Sequence, residues 1–373
     1  MIDSIIATPD SLKIFSGSKV LITGHTGFKG SWLSLWLTQL GAKVTGIAID
    51  VPSDPSHFHA AALSNRLSDK CLDIRDGLDL KNTIRELAPD FVFHLAAQAL
   101  VRRSYKEPVD TWQTNMMGTI NLLEALRELK NPCTAVLITS DKCYDNVEWI
   151  WGYRETDALG GPDPYSASKG AAELAIRSYV RSFFPAEGNV RIAIGRAGNV
   201  IGGGDWAEDR IVADCMRAGS VGESVFLRNP LATRPWQHVL EPLSGYLVLA
   251  SSLYEDATLH GEPFNFGPPG DQNYSVGDLV VRMSKYWDQV RWTDDSGLYG
   301  GPYESGLLKL NCDKALHYLK WQASWNFEET VRETVLWYKN YYEHPKHSIV
   351  DFSLAQIETY VESAKQQGKQ WAQ

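Results

Sequence analysis

Two short strings carry the residue types that chemistry needs. The first is Thr23-Gly24-His25-Thr26-Gly27-Phe28-Lys29-Gly30, directly after the apolar run Lys19–Thr23. Glycines let a backbone turn tightly and approach a pyrophosphate, while the following helix offers unpaired N–H groups and the positive end of its dipole. The spacing is G-x-x-G-x-x-G. Asp50, twenty positions after Gly30, ends the second strand-like run. A carboxylate there accepts from ribose hydroxyls and repels a 2′-phosphate, which favours NAD over NADP. Asp73 and Ile74 are candidates for the adenine end. Leu95-Ala96-Ala97-Gln98 closes the fourth run with small residues that let a cofactor pass. Gly24, Thr26, Gly27, Phe28, Lys29 and Gly30 are thus the expected cradle.

The second string is Tyr165-Ser166-Ala167-Ser168-Lys169, after Asp163-Pro164. Asp then Pro reads as an N-cap and first helical residue, so Tyr165 and Lys169 should sit one turn apart on one face. An ammonium beside a phenol favours phenolate. Tyr165 can then take a hydroxyl proton while hydride leaves the same carbon, and Lys169 can hold the nicotinamide ribose. Ser140, at the end of the fifth run, would orient the substrate oxygen.

Alternating strands and helices must position these groups. Lys19–Thr23, Lys43–Ile49, Phe91–Ala96, Ala135–Thr139 and Val190–Ile194 read as strands. The intervening helices are expected at Ser31–Leu40, with Trp32, Leu33, Trp36 and Leu37 on one face and Gly41 closing it, then at 80–87, 111–129 and 165–182. Nearly continuous apolar strands predict an α/β fold, a Rossmann-type doubly wound parallel sheet. Beyond residue 200 glycines, prolines and aromatics break the rhythm, which predicts a smaller mixed α/β lobe. The expected division is 1–200 plus about 236–266 for the NAD-binding domain, and 201–235 with 267–373 for the substrate lobe.

Composition narrows the partners. A chain of 373 residues suggests about two domains. Its 36 basic and 45 acidic residues, net −9, argue against nucleic acid or an anionic membrane, while local arginines can still bind one small anion. Five dispersed cysteines without C-x-x-C argue against disulfides or zinc and for a reducing cytoplasm. No signal peptide or membrane-length apolar run is read, and no metal is expected. Of 13 tryptophans, ten follow residue 148.

The glycine turn and the Tyr–Lys helix resemble those of the extended short-chain dehydrogenases/reductases, in their nucleotide-sugar branch. Within it, TSDKCYDN (139–146), WIWGYRE (149–155), AGNVIGGGDWAEDRIV (197–212) and RNPLATRPWQHVLEPLSGYL (228–247) resemble the dehydratases of CDP-linked glucose. That resemblance implies CDP-glucose as substrate and a redox-neutral cycle: oxidation at C4, loss of water across C5 and C6, and hydride return to C6. It makes Asp141 the general acid. Related dTDP-sugar dehydratases carry Asp-Glu where this chain has Asp141-Lys142, so Lys142 must act neutral as the C5 base or stabilise an enolate while another group is base. Asn199, Arg210, Arg234 and Asn265 match positions that contact sugar or phosphates, and Glu304 could read the cytosine amine or a ribose hydroxyl. Trp149, Trp151, Trp206 and Trp236 could wall the pocket. The resemblance also implies a homodimer through helices 111–129 and 165–182, where Leu122, Leu123 and Leu126 would equally suit packing on the sheet. A dehydratase of another nucleotide sugar, a 4-epimerase and a non-catalytic NAD-bound sensor are the alternatives; Asp141 speaks against the epimerase.

Overall fold

In Lys19–Thr23 the side chains alternate between two cores: Val20 and Ile22 join one, Leu21 the other. A strand buried on both faces belongs in the middle of a sheet covered by helices. The computed structural model describes residues 8–227, 229–294 and 306–373. Its first part runs β1 (Lys19–Thr23), α1 (Phe28–Gln39), β2 (Lys43–Ala48), α2 (His57–Ala60), β3 (Ser68–Cys71), α3 (Gly77–Leu87), β4 (Phe91–His94), α4 (Val101–Lys106), α5 (Pro108–Trp112), α6 (Gly118–Arg127), β5 (Cys133–Ile138), α7 (Pro164–Phe183) and β6 (Val190–Ala197). There follow β7 (Val200–Ile201), α8 (Ile211–Ser220), β8 (Ser224–Leu227), β9 (Thr233–Arg234), β10 (Gln237–His238), α9 (Leu240–Glu255), β11 (Pro263–Phe266), β12 (Tyr274–Ser275), α10 (Val276–Tyr286), β13 (Arg291–Asp294), α11 (Asp313–Leu319), α12 (Phe327–Glu343) and α13 (Ile349–Gln366).

Seven strands pair in parallel in the order β3-β2-β1-β4-β5-β6-β11. This is the doubly wound Rossmann order with one added strand. On one face α3, α6 and α7 cover it through Leu80, Ile84, Leu122, Leu126, Ile176 and Val180. On the other, α1 and α9 share a core with α12 and α13. Among the described residues no helix is long and apolar enough to cross a membrane.

Three local expectations change. The helix expected over 111–129 carries a π-turn: α5 runs into it at Trp112, Gln113–Met117 form the π-turn, and α6 continues from Gly118, with helical backbone angles at both junctions. Gly118 lies so close to Ile74 that a Cβ would meet its Cδ1 at 2.5 Å, and the Asn115 side chain is held by neighbours on both sides. The helix expected to be one-sided, α1, is buried all round from Gly30 to Leu37, because α13 lies on the side away from the sheet. Leu122, Leu123 and Leu126 are fully buried against the sheet, so they form no outer surface.

The segment 267–373 does two things. Its α10 packs with α8 and α12 at one end, while α12 and α13 extend the core of the sheet face. Glu241 on α9 fastens this layer. Fully buried, it accepts from the backbone N–H groups of Ser324 (3.0 Å) and Trp325 (2.7 Å) and from the Tyr360 hydroxyl (2.7 Å). Glu241→Ala strands these donors and should cost about 3 kcal/mol, read as a lower urea midpoint at unchanged slope.

Candidate active site

The cradle forms where β1 ends. Gly24 has φ +73°, donates its N–H to Ile47 O at 2.7 Å, and lies so close to β4's end that a Cβ would meet Ala96 N at 2.7 Å. A Cβ on Gly30 would meet Gly24 O at 2.1 Å. Both positions therefore require glycine. Gly27 is the N-cap of α1 and contributes no side-chain acceptor, so the first N–H groups of a 12-residue helix face the turn. Thr26 ties the turn to the end of β2 by donating to Asp50 O at 2.6 Å, and the Asp50 carboxylate is exposed beside it. Phe28 approaches Gly202, and Leu95, Ala96 and Ala97 line the opposite side at the end of β4, half-buried.

Other expected cofactor residues have side-chain partners within the protein. Asp73 is paired with Arg75, whose hydrogen bond holds its carboxyl below the usual range. The Ile74 side chain is core, wedged against Gly118. Gln98 is tied to Thr111 and to the Leu100 backbone. Asn115, unread in the sequence, is the residue that joins this loop to the catalytic helix. It accepts from Gln98 N (2.8 Å) and donates to Gln98 O (3.1 Å) and Ser168 Oγ (2.9 Å). Nothing in its string TNMMG marks it; π-turns occur at functional sites but have no sequence signature.

The catalytic helix is built as its sequence predicts. Asp163 caps α7 by accepting from Ser166 N at 2.9 Å, and Pro164 is the first helical residue. Tyr165 and Lys169 are both buried, one turn apart. Burial pushes the Tyr165 phenol up to about 12, the Ser140 hydroxyl and Arg210 work downward, and Asp141 adds to the rise. Burial is thus the largest influence on this phenol, since desolvation disfavours the phenolate. Burial likewise pulls the Lys169 amine down to about 8, with the Glu173 carboxylate opposing.

Ser140 leaves β5 and caps the short turn Asp141–Cys143. Its hydroxyl donates to Asp141 Oδ1 at 2.9 Å, and Asn199 Nδ2 donates to Asp141 Oδ2 at 3.3 Å. Asp141 is 2 % exposed, and Gly198 leaves it room: a Cβ there would sit 1.9 Å from Oδ2. Lys142 is partly exposed beside it. Lys29 reaches the same space. Its amine is lowered to about 8 by burial, with Asp141 opposing and Arg210 and Lys169 reinforcing the drop. Neither Lys29 nor Lys169 has a hydrogen-bond or ion-pair partner among the described residues. Two unpartnered ammonium groups beside an uncapped helix start fit a diphosphate and ribose hydroxyls.

Arg210 and Arg234 line one cavity with Asn199, Asp205 and Trp236. Asn265 is not there. Its side chain is fully buried, accepts from Tyr144 (2.7 Å) and donates to Tyr153 O and Asn311 O, which commits both amide protons away from the cavity. Glu304 lies outside the described residues. Trp206 is core against Trp337 and Tyr338, while Trp149 and Trp151 are exposed; of the four rings expected to wall the pocket, Trp236 lines the cavity.

A Rossmann sheet whose open end holds a glycine cradle and a Ser–Tyr–Lys group defines a nucleotide-dependent short-chain dehydrogenase/reductase. The chain belongs to the GDP-mannose 4,6 dehydratase family, whose model matches residues 21–334. It is 49% identical over 330 residues to the CDP-glucose 4,6-dehydratase of Salmonella typhimurium strain LT2, covering 87% of this chain and 91% of that protein. Among solved structures, Pal from Bacillus thuringiensis superposes with a TM-score of 0.74 at 23% identity, covering 87% of this chain and 99% of that one. A UDP-glucose-4-epimerase from Stenotrophomonas maltophila with bound NAD gives 0.73 at 21%, with the same coverage.

Two glycine substitutions separate cradle from acid. Gly24→Ala should weaken NAD binding about tenfold or more by calorimetry. Gly198→Ala should leave that affinity unchanged and lower turnover about a hundredfold, because it displaces the Asp141 carboxylate.

Proposed function

We propose that this enzyme converts CDP-D-glucose to CDP-4-dehydro-6-deoxy-D-glucose and water, using NAD. The observation that carries the reading is the buried Asp141 carboxylate, held by Ser140 and Asn199 beside Tyr165. An acid next to a carbonyl-forming group is what elimination needs and simple epimerisation does not. The identity to the Salmonella dehydratase supports the cytidine sugar. Arg210 and Arg234 suit its diphosphate, since a guanidinium fork makes paired charge-assisted bonds.

NAD, when bound, accepts the C4 hydride and returns it to C6. The backbone of Gly24–Gly30 would hold its pyrophosphate, Asp50 a ribose, and Lys169 the second ribose. Tyr165, as the phenolate that Ser140 and Arg210 favour against its burial, takes the C4 hydroxyl proton, and Ser140 donates to the same oxygen as it becomes a carbonyl. The ketone acidifies C5–H, and Lys142, neutral when it acts, removes that proton. Asp141 protonates the C6 hydroxyl, which leaves as water. With hydride restored at C6, Lys142 gives its proton back to C5 and the proton held by Tyr165 replaces the one lost by Asp141, so the residues return to their starting states and no net oxidation results.

The same reading makes the protein cytoplasmic and a supplier of 3,6-dideoxyhexoses for a bacterial surface polysaccharide such as O antigen. It also makes it a homodimer or higher homo-oligomer through the outer face of α7, where Leu174 and Phe183 are exposed. The two-part division belongs to the same proposal in amended form: residues 201–235 and α10 with its neighbours present the nucleotide sugar, while α12 and α13, within 267–373, join the core of the NAD-binding sheet.

Incubation with CDP-glucose, dTDP-glucose and GDP-mannose, followed by the alkaline absorbance of a 4-keto sugar, tests the substrate. Signal with CDP-glucose is expected; its absence overturns the reading. Asp141→Asn should cut product about a hundredfold while C4 oxidation continues, seen as absorbance of the reduced cofactor. Lys142→Ala at near wild-type rate would remove Lys142 as the base.

A further inference from the structure

Behind the active site lies an ion pair shut away from water. Arg196 on β6 and Glu173 on α7 have side chains 3 % and 2 % exposed. Glu173 Oε1 accepts from Arg196 Nε at 2.7 Å and from Thr139 Oγ1 at 2.5 Å, and Oε2 accepts from Arg196 Nη2. Arg196 Nη1 donates to the Tyr144 hydroxyl at 2.6 Å and to Glu155 O at 3.2 Å, and Tyr144 in turn donates to Asn265. Burying two charges gains little net stability over apolar residues of similar volume, so the pair is better understood by what it holds.

What it holds is the segment that carries the elimination chemistry. Thr139 immediately precedes Ser140, and Tyr144 immediately follows Cys143. Both ends of the Ser140–Cys143 turn are thus tethered to one ion pair, whose acidic member stands four residues after Lys169 on the same helix. We propose that Glu173 is a positioning residue for the reaction, fixing the Ser140–Lys142 segment against the helix that presents Tyr165 and Lys169. Asn265 belongs to the same frame through Tyr144. The proposal rests on the dehydratase reading above.

Glu173 also acts on Lys169 through its charge. The titratable groups that interact with that amine are Glu173 from α7, Cys143 from the short turn, Lys29 from α1 and His94 from β4. Burial keeps His94 neutral, down to about 3, and Lys29 repels the ammonium. Glu173 opposes burial and favours the charged amine, whereas the Cys143 thiol, pushed up by burial, stays neutral. Loss of the Glu173 charge therefore releases the Lys169 proton at lower pH, and an activity that needs the ammonium fails earlier as pH rises.

Glu173→Gln keeps the shape and removes the charge. We expect kcat to fall about thirtyfold, KM for CDP-glucose to change less than about threefold, and the alkaline limb of kcat to move down by about one pH unit. Glu173→Gln combined with Arg196→Met removes both charges, so no lone buried guanidinium remains to unfold the protein, and activity should stay low. A double variant within about threefold of wild-type kcat, or an unmoved alkaline limb in the single variant, overturns the proposal. Titration of the Lys169 amine by carbon-13 NMR of lysine-labelled protein, assigned with Lys169→Met and read without substrate, separates the two readings. No turnover of CDP-glucose by the wild type condemns the reaction. An unchanged Lys169 titration in Glu173→Gln condemns the role of Glu173.

Discussion

Between β1 and β4 the winding of the sheet reverses, so the helices that follow these two strands leave in opposite directions and a crevice opens at their carboxyl ends. Each catalytic and cradle element meets that crevice. Gly24 turns at the end of β1 against Ala96 at the end of β4, and Ser140 leaves the end of β5, next in the sheet. The start of α7 then returns over the same edge with Tyr165 and Lys169. The approach of Gly24 to Ala96 allows no side chain, so the position of α1, and of everything packed on it, follows from that contact.

Around the crevice, charge is concentrated where water is scarce. Lys29, Lys169 and Arg210 gather about Asp141, and burial draws both lysine amines down to about 8 while holding the Tyr165 phenol up. Such groups are poised for anionic ligands, because a diphosphate or a developing oxyanion supplies the compensation that solvent does not. Behind them the Glu173–Arg196 pair is already satisfied by its own hydrogen bonds. The site thus has an unsatisfied front and a satisfied rear, which is the difference between groups that bind and groups that hold.

The aromatic wealth of the chain serves chiefly the scaffold. Trp32 stacks on His57 at 4.4 Å and donates to Gly203 O, Trp36 meets Tyr360 and Trp371, and Trp206 nests among Trp337, Tyr338 and Tyr341. These contacts seal α1 beneath α12 and α13. A helix carrying the cradle at its first turn is thereby fixed on every side, which keeps its N–H groups aimed at one place.

Some features of this protein follow from local sequence because their physics is local. The tight turn at Gly24–Gly30, the Asp163-Pro164 helix start, the one-turn spacing of Tyr165 and Lys169 and the apolar alternation of β1 need only neighbouring residues. The long strings around Ser140 and Asn199 identified the family for the same reason, being contiguous. Only the tertiary structure decided that Asn265 supports Tyr144, that the side chains of Ile74 and Trp206 are core, that Gly198 makes room for Asp141, and that the helix expected over 111–129 carries a π-turn at Asn115. It also decided the surroundings of Tyr165, which is buried beside Ser140, Asp141 and Arg210. Each of these depends on partners many tens of residues distant, whose approach no spacing along the chain encodes.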